Sequence, residues 1–162
     1  MCFDLNAACS GFVYALTVAQ ALLQNMEEKY ALVIGSEEIS KIMDFKDRNT
    51  CVLFGDGAGA LVVGNGDGIF ASYSNSAGNL EALKAPAISK SNQDHYLTMA
   101  GQEVFKFAIK VIPESINAIL EKTNLTLDEI DYVVCHQANY RIIKNVYKKM
   151  KSSEDKFLSL IH

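Results

Sequence analysis

Residues 4–12 read Asp4-Leu5-Asn6-Ala7-Ala8-Cys9-Ser10-Gly11-Phe12, and VYALTVAQALLQN follows to residue 25. Phe3-Asp4-Leu5 reads as a short strand. The small residues at 6–11 permit a sharp turn, and Gly11 lets backbone come close. Residues 12–25 are mostly apolar and rich in helix formers, which predicts a buried helix starting near Cys9-Ser10-Gly11. A strand that turns straight into a helix is a building unit of α/β folds. A thiol at a helix start feels the positive end of the macrodipole, which favours the thiolate, and backbone N–H groups there can hold an oxyanion. Cys9 is therefore a candidate nucleophile. From the residues alone it is also open to the plainer reading of a small buried cysteine.

Downstream, ALVIGS (31–36) is short, branched and apolar, which predicts a buried strand. TCVLF (50–54) and ALVV (60–63) read as two further strands or one interrupted strand, and IFASYSN (69–75) alternates as a strand does. A polar loop is expected from Ser76 to about Tyr96. Between Thr98 and Lys122, Val104, Ala108, Val111, Ile112, Ile116, Ile119 and Leu120 fall at helical spacing, with Pro113 expected to kink or split the helix. Asp131–Cys135 reads as a strand ending at His136, residues 139–150 as a basic amphipathic helix, and FLSLI (157–161) as another strand. Strands and helices interleave, which predicts a layered α/β fold around a central mixed sheet.

The glycine-dense Phe54-Gly55-Asp56-Gly57-Ala58-Gly59-Ala60 is not a phosphate loop. A dinucleotide fingerprint needs a helix after its glycines, and here a strand follows, with no Gly-Lys-Ser/Thr. A tight strand crossing is the expected use of these glycines. His136 follows a strand and precedes a helix, at the sheet edge where α/β proteins place functional groups. A histidine satisfied by backbone groups is the alternative. His95 and His162 receive no role.

Composition narrows the class. The chain of 162 residues is 49% apolar and 21% charged, as in a globular domain. No apolar run reaches the ~18 residues that span a bilayer, and no secretory leader pattern is present. Four cysteines without a CxxC or disulfide-like spacing fit a reduced cytoplasmic protein, and no metal site is expected. Between His136 and Lys151 the basic residues Arg141, Lys144, Lys148, Lys149 and Lys151 occur with no acid, on a chain of net charge −4. Such a face can dock a nucleic acid, a phosphate-bearing cofactor or an acidic protein, or can simply be solvated.

DLNAACSGF (4–12), GSE (35–37), FGDGAGA (54–60), Met99-x-Gly101-x-Glu103-Val104-Phe105-Lys106 and HQANYRII (136–143) occur together in one order and spacing. In this the chain resembles β-ketoacyl-acyl-carrier-protein synthase III, of the thiolase-like superfamily. The resemblance implies two similar α/β layered halves, the first ending here in 1–66 with the nucleophile Cys9 and the second beginning in 67–162 with the catalytic His136. It implies decarboxylative condensation of an acyl-CoA starter, expected to be acetyl-CoA, with malonyl-carrier protein through an acyl-cysteine. No metal or redox cofactor is implied.

By the same resemblance Arg48 contacts the adenine end of CoA, Phe54 lines the acyl tunnel and Arg141 stands at its mouth. Lys106, Arg141, Lys148 and Lys149 belong to the docking surface for the acidic carrier protein. A cytoplasmic homodimer is implied, with neither nucleic acid nor membrane as partner. A starter-specific or HMG-CoA-synthase-like member of the superfamily is the alternative. The family's third catalytic residue, an Asn in a Gly-Asn-Thr-Ser motif, has no counterpart in this sequence. The chain thus reads as cut at both ends, and the 162 residues alone are expected not to turn over.

Overall fold

A computed structural model describes residues 1–86 and 96–161. The chain forms two compact units, Met1–Ile39 with Gly55–Phe70, and Ser40–Phe54 with Ala71–His162.

In the first unit, one turn of 3-10 helix (Ala8–Ser10) leads into α1 (Gly11–Leu23). Strand β1 (Tyr30–Glu38) pairs antiparallel with β2 (Asp56–Gly64), from Tyr30 opposite Gly64 to Glu38 opposite Asp56. Successive side chains alternate between faces. Helix α1 packs against this ladder. Ala19, Leu23 and Val33 are buried. At Gly35 a Cβ would stand 3.3 Å from Cδ2 of Phe12, so the ring would have to give by a few tenths of an ångström to admit a side chain. Asn65 Nδ2 donates to the Leu23 carbonyl at 3.1 Å, occupying an acceptor that the helix end leaves free. Against the expectation of a buried strand at 31–36, only Val33 of β1 is buried, while Tyr30, Leu32 and Ile34, with Val62 of β2, remain exposed. Tyr30, Leu32 and Ile34 alternate with buried Val33, and Val62 stands opposite Leu32.

The second unit contains β3 (Leu83–Lys84) and β4 (Thr98–Met99), paired antiparallel, then α2 (Gly101–Thr123), β5 (Val133–Val134), α3 (Tyr140–Lys149) and β6 (Phe157–Leu158). Strands β5 and β6 pair in parallel. Helix α3 turns Ile143, Val146 and Tyr147 into the core, where they meet Phe157, with Ile112, Ile116, Val133 and Cys135 packed around them. Its basic residues Arg141, Lys144 and Lys148, spaced i, i+3, i+7, share the opposite, exposed side. Tyr140 and Tyr147 donate their hydroxyls to Glu154 at 2.5 and 3.1 Å, tying α3 to the turn before β6. These two bonds, Tyr140's first, hold the Glu154 carboxyl below its ordinary range, and the same contact pushes the Tyr140 hydroxyl well up.

Several expectations change. Among the described residues the strands form three two-stranded ladders rather than one central mixed sheet. Phe3–Leu5 and 69–75 are not strands, for no described segment pairs with them. TCVLF is not a strand either. Asp47 organises that stretch as a turn, its carboxylate accepting from the Asn49 N–H at 3.0 Å and the Thr50 hydroxyl at 2.9 Å, and Thr50 is fully buried. The glycines of 54–60 serve no tight crossing, since a Cβ at 55, 57 or 59 would meet nothing within 4 Å. Pro113 does not split its helix; α2 runs unbroken through it. The expected loop at 76–96 contains β3, and its residues 87–95 lie outside the described residues.

Candidate active site

The turn that presents Cys9 is locally determined. Ala8 has φ 46°, the left-handed region, which costs a non-glycine residue roughly 1–2 kcal/mol. Two bonds hold it there: the Ala8 N–H donates to Asn6 Oδ1 at 3.3 Å, and the Ser10 N–H to the Ala7 carbonyl at 3.1 Å. Cys9 is exposed at the start of α1, as expected. Its acidity is not as expected. The residue is open to reagents, yet enough protein surrounds the thiol for desolvation to push it up. A hydrogen bond from its own backbone N–H opposes this, and the Glu37 carboxylate pushes it further up. Of these three influences desolvation is the largest.

His136 lies in the second unit, exposed, between β5 and α3. Both ends of its loop are fastened. Asn139 is the N-cap of α3, its Oδ1 accepting from the Arg141 N–H at 2.8 Å. Gln137 bonds Cys135 and the chain leaving β6 through its side-chain amide. His95 and His162 lie outside the described residues.

The remaining candidates differ in how they are held. Arg48 is exposed on the turn that Asp47 and Thr50 build, and Phe54 is half-buried. Arg141 and Lys148 share the exposed side of α3 with Lys144, which stands 5.8 Å from the ring centre of Tyr140. Lys106 is engaged with Glu103 at 2.8 Å. Lys149 Nζ donates to the Ile109 carbonyl at 3.4 Å. No group of three or more His, Cys, Asp or Glu among the described residues could hold a metal ion, and no described helix is long and apolar enough to cross a membrane. Sequence reasoning missed Glu37 and Gln137 as individual residues. Both stood inside quoted motifs, GSE and HQANYRII, but their partners lie elsewhere in the chain.

Comparison with known proteins places the chain by family and fold. The family profile described as 3-Oxoacyl-[acyl-carrier-protein (ACP)] synthase III matches residues 3–78, and its C-terminal counterpart matches residues 120–162. The β-ketoacyl-[acyl-carrier-protein] synthase III of Clostridium novyi is 45% identical over 99% of this chain and 53% of its own length. The solved 3-oxoacyl-[acyl-carrier-protein] synthase III of Aquifex aeolicus superposes with TM-score 0.87 at 40% identity, covering 98% of this chain and 51% of that one. The corresponding structure from Pseudomonas aeruginosa gives TM-score 0.87 at 32% identity, with the same coverage. The fold is thus the thiolase-like α/β fold, here with a cysteine at a helix start in one unit and a histidine between strand and helix in the other. Within that class, the chain belongs to the 3-oxoacyl-[acyl-carrier-protein] synthase III family. It spans about half the length of the curated relatives it matches.

Proposed function

We propose that the protein carrying these residues starts fatty-acid synthesis by joining an acyl-CoA, acetyl-CoA in the first instance, to malonyl-carrier protein. The observation that carries this reading is Cys9: an exposed thiol on a strained turn at the start of α1, within the segment matched by the family profile. Cys9 attacks the thioester carbonyl, the bond to the CoA sulfur breaks, and the thiol proton leaves with CoA. Backbone N–H groups at the helix start stabilise the tetrahedral oxyanion. Malonyl-carrier protein then loses CO2, and the electron pair of the broken C–C bond forms an enolate. His136 donates a hydrogen bond to the enolate oxygen. The enolate carbon attacks acyl-Cys9, the C–S bond breaks, and the released thiolate takes a proton from solvent.

Both steps proceed without a metal or redox cofactor in this scheme. Arg48 and Phe54 serve CoA and the acyl chain. Arg141, Lys106, Lys148 and Lys149 face the acidic carrier protein. The working protein is a cytoplasmic homodimer whose two α/β halves divide near residue 66.

The full-length protein tests this directly. Incubated with acetyl-CoA, it should gain an acetyl group on the Cys9 peptide, which Cys9→Ala abolishes. His136→Ala should keep the adduct and lose condensation by roughly 10²–10³-fold, the usual cost of one oxyanion donor. Arg141→Glu should raise the KM for malonyl-carrier protein. An acetyl adduct that persists in Cys9→Ala removes the central assignment.

A further inference from the structure

We infer that Gln137 is a positioning residue, its side-chain amide stapling the loop that carries His136 to the chain leaving β6. Its Nε2 donates to the Cys135 carbonyl at 2.9 Å and to the Leu158 carbonyl at 3.1 Å. Its Oε1 accepts from the Leu160 N–H at 2.7 Å. A primary amide carries two donors and one acceptor oxygen, so one side chain satisfies all three backbone groups.

The place of this staple matters more than its strength. Strands β5 and β6 pair only at Val133 with Phe157 and Val134 with Leu158. The backbone ladder then stops, and the Gln137 amide continues it, offering N–H and C=O as a further strand residue would. His136 sits between Cys135, whose carbonyl is one anchor, and Gln137 itself. Three residues after His136, Asn139 caps α3 through the Arg141 N–H. The histidine is therefore held between two fastened side chains, Gln137 and Asn139, that leave little freedom to its backbone. A displacement of about 1 Å in a catalytic group can cost ~10²-fold in rate, so a loop residue that fixes His136 shows in turnover. The chemistry needs a carboxamide. Glutamate keeps the acceptor for Leu160 but places a carboxylate against two carbonyl oxygens, and alanine removes every bond.

This inference rests on the reading of His136 as donor to the enolate. The test compares Gln137→Ala and Gln137→Glu with wild type in the full-length protein. Three quantities are measured: acetylation of Cys9 by acetyl-CoA, and kcat and KM for condensation with malonyl-carrier protein. Both variants should lose at least about tenfold in kcat, with Cys9 acetylation and KM within about threefold of wild type. General loss of structure would lower acetylation equally, and that result, or an unchanged kcat, overturns the inference. Amide hydrogen exchange on the wild type supplies a measurement that no misfolding variant can spoil. The Leu160 N–H should exchange at least about tenfold more slowly than a free amide, and an unprotected Leu160 also overturns the inference. A wild type without condensing activity would sink the reading of His136 and the catalytic role of Gln137 with it, while protection at Leu160 would still establish the staple.

Discussion

Cys9 shows how far a single side chain departs from what its neighbours in sequence suggest. A helix start predicts an acidified thiol, but desolvation reverses the direction, and Glu37 adds to it. At neutral pH the free thiol is therefore the dominant form, and the proton must leave during acylation. The consequence is measurable without substrate. Alkylation of Cys9 by iodoacetamide, followed on its peptide, should rise with pH and inflect above the value of an ordinary cysteine thiol, about 8.5. Glu37→Gln removes one of the two raising influences, so the inflection should move to lower pH and alkylation at pH 7.5 should speed up. Desolvation remains, so the inflection should not fall below that of a free thiol. An inflection that stays in place in Glu37→Gln would show that the carboxylate does not act on Cys9. Glu37 was legible as part of a motif, but its electrostatic action was not, because that depends on how β1 lies beside the turn before α1.

At the scale of the element, α2 carries its proline without splitting. Pro113 has no N–H, so the carbonyl four residues back, that of Ile109, loses its helical partner. Lys149 Nζ, from α3, reaches that carbonyl at 3.4 Å. The lysine thus has a structural occupation beside any share in docking, and it joins α2 to α3 where their apolar sides pack. Lys149→Met keeps the aliphatic stem and removes the donor. It should destabilise the protein by about 0.5–1 kcal/mol in urea unfolding, the range of a solvent-accessible hydrogen bond. In a Pro113→Ala background the new N–H takes the Ile109 carbonyl, so the same substitution should cost less. Equal costs in the two backgrounds would mean that the lysine does not compensate for the proline. The periodicity of residues 104–120 was enough to predict α2, because one face meets the core. That a residue 40 positions away supplies the missing donor could not be read locally.

For the whole molecule, the exposed apolar face of β1 and β2 is the dominant feature. Tyr30 and Leu32 are 72% and 63% exposed, and Val62, opposite Leu32, is 71% exposed. Contiguous apolar surface on a ladder that has two strands among the described residues favours association. Sedimentation of the 162-residue chain should show self-association that grows with concentration. Leu32→Lys combined with Val62→Glu places opposite charges on directly paired residues and should shift the chain towards monomer. A wild-type chain that stays monomeric throughout would show that this face is not adhesive.

Local pattern was sufficient for much of this protein. Helical spacing and a small-residue turn specified α1 and α3, branched apolar runs specified β1 and the end of β2, and five motifs in order specified the family. The placement of Cys9 at a helix start and of His136 between strand and helix followed from the same signals, since each depends on residues within one or two turns. Tertiary structure decided the rest. TCVLF is branched and apolar, but its first residue, Thr50, is fully buried by the fold and held in a local turn by Asp47. IFASYSN alternates, but alternation makes a strand only where another strand lies beside it. The acidity of Cys9 follows from desolvation, and the hold on His136 follows from bonds spanning 21 and 23 residues. Short-range periodicity reports which side of an element is apolar. It does not report which distant group arrives to satisfy a carbonyl, crowd a thiol or fasten a loop.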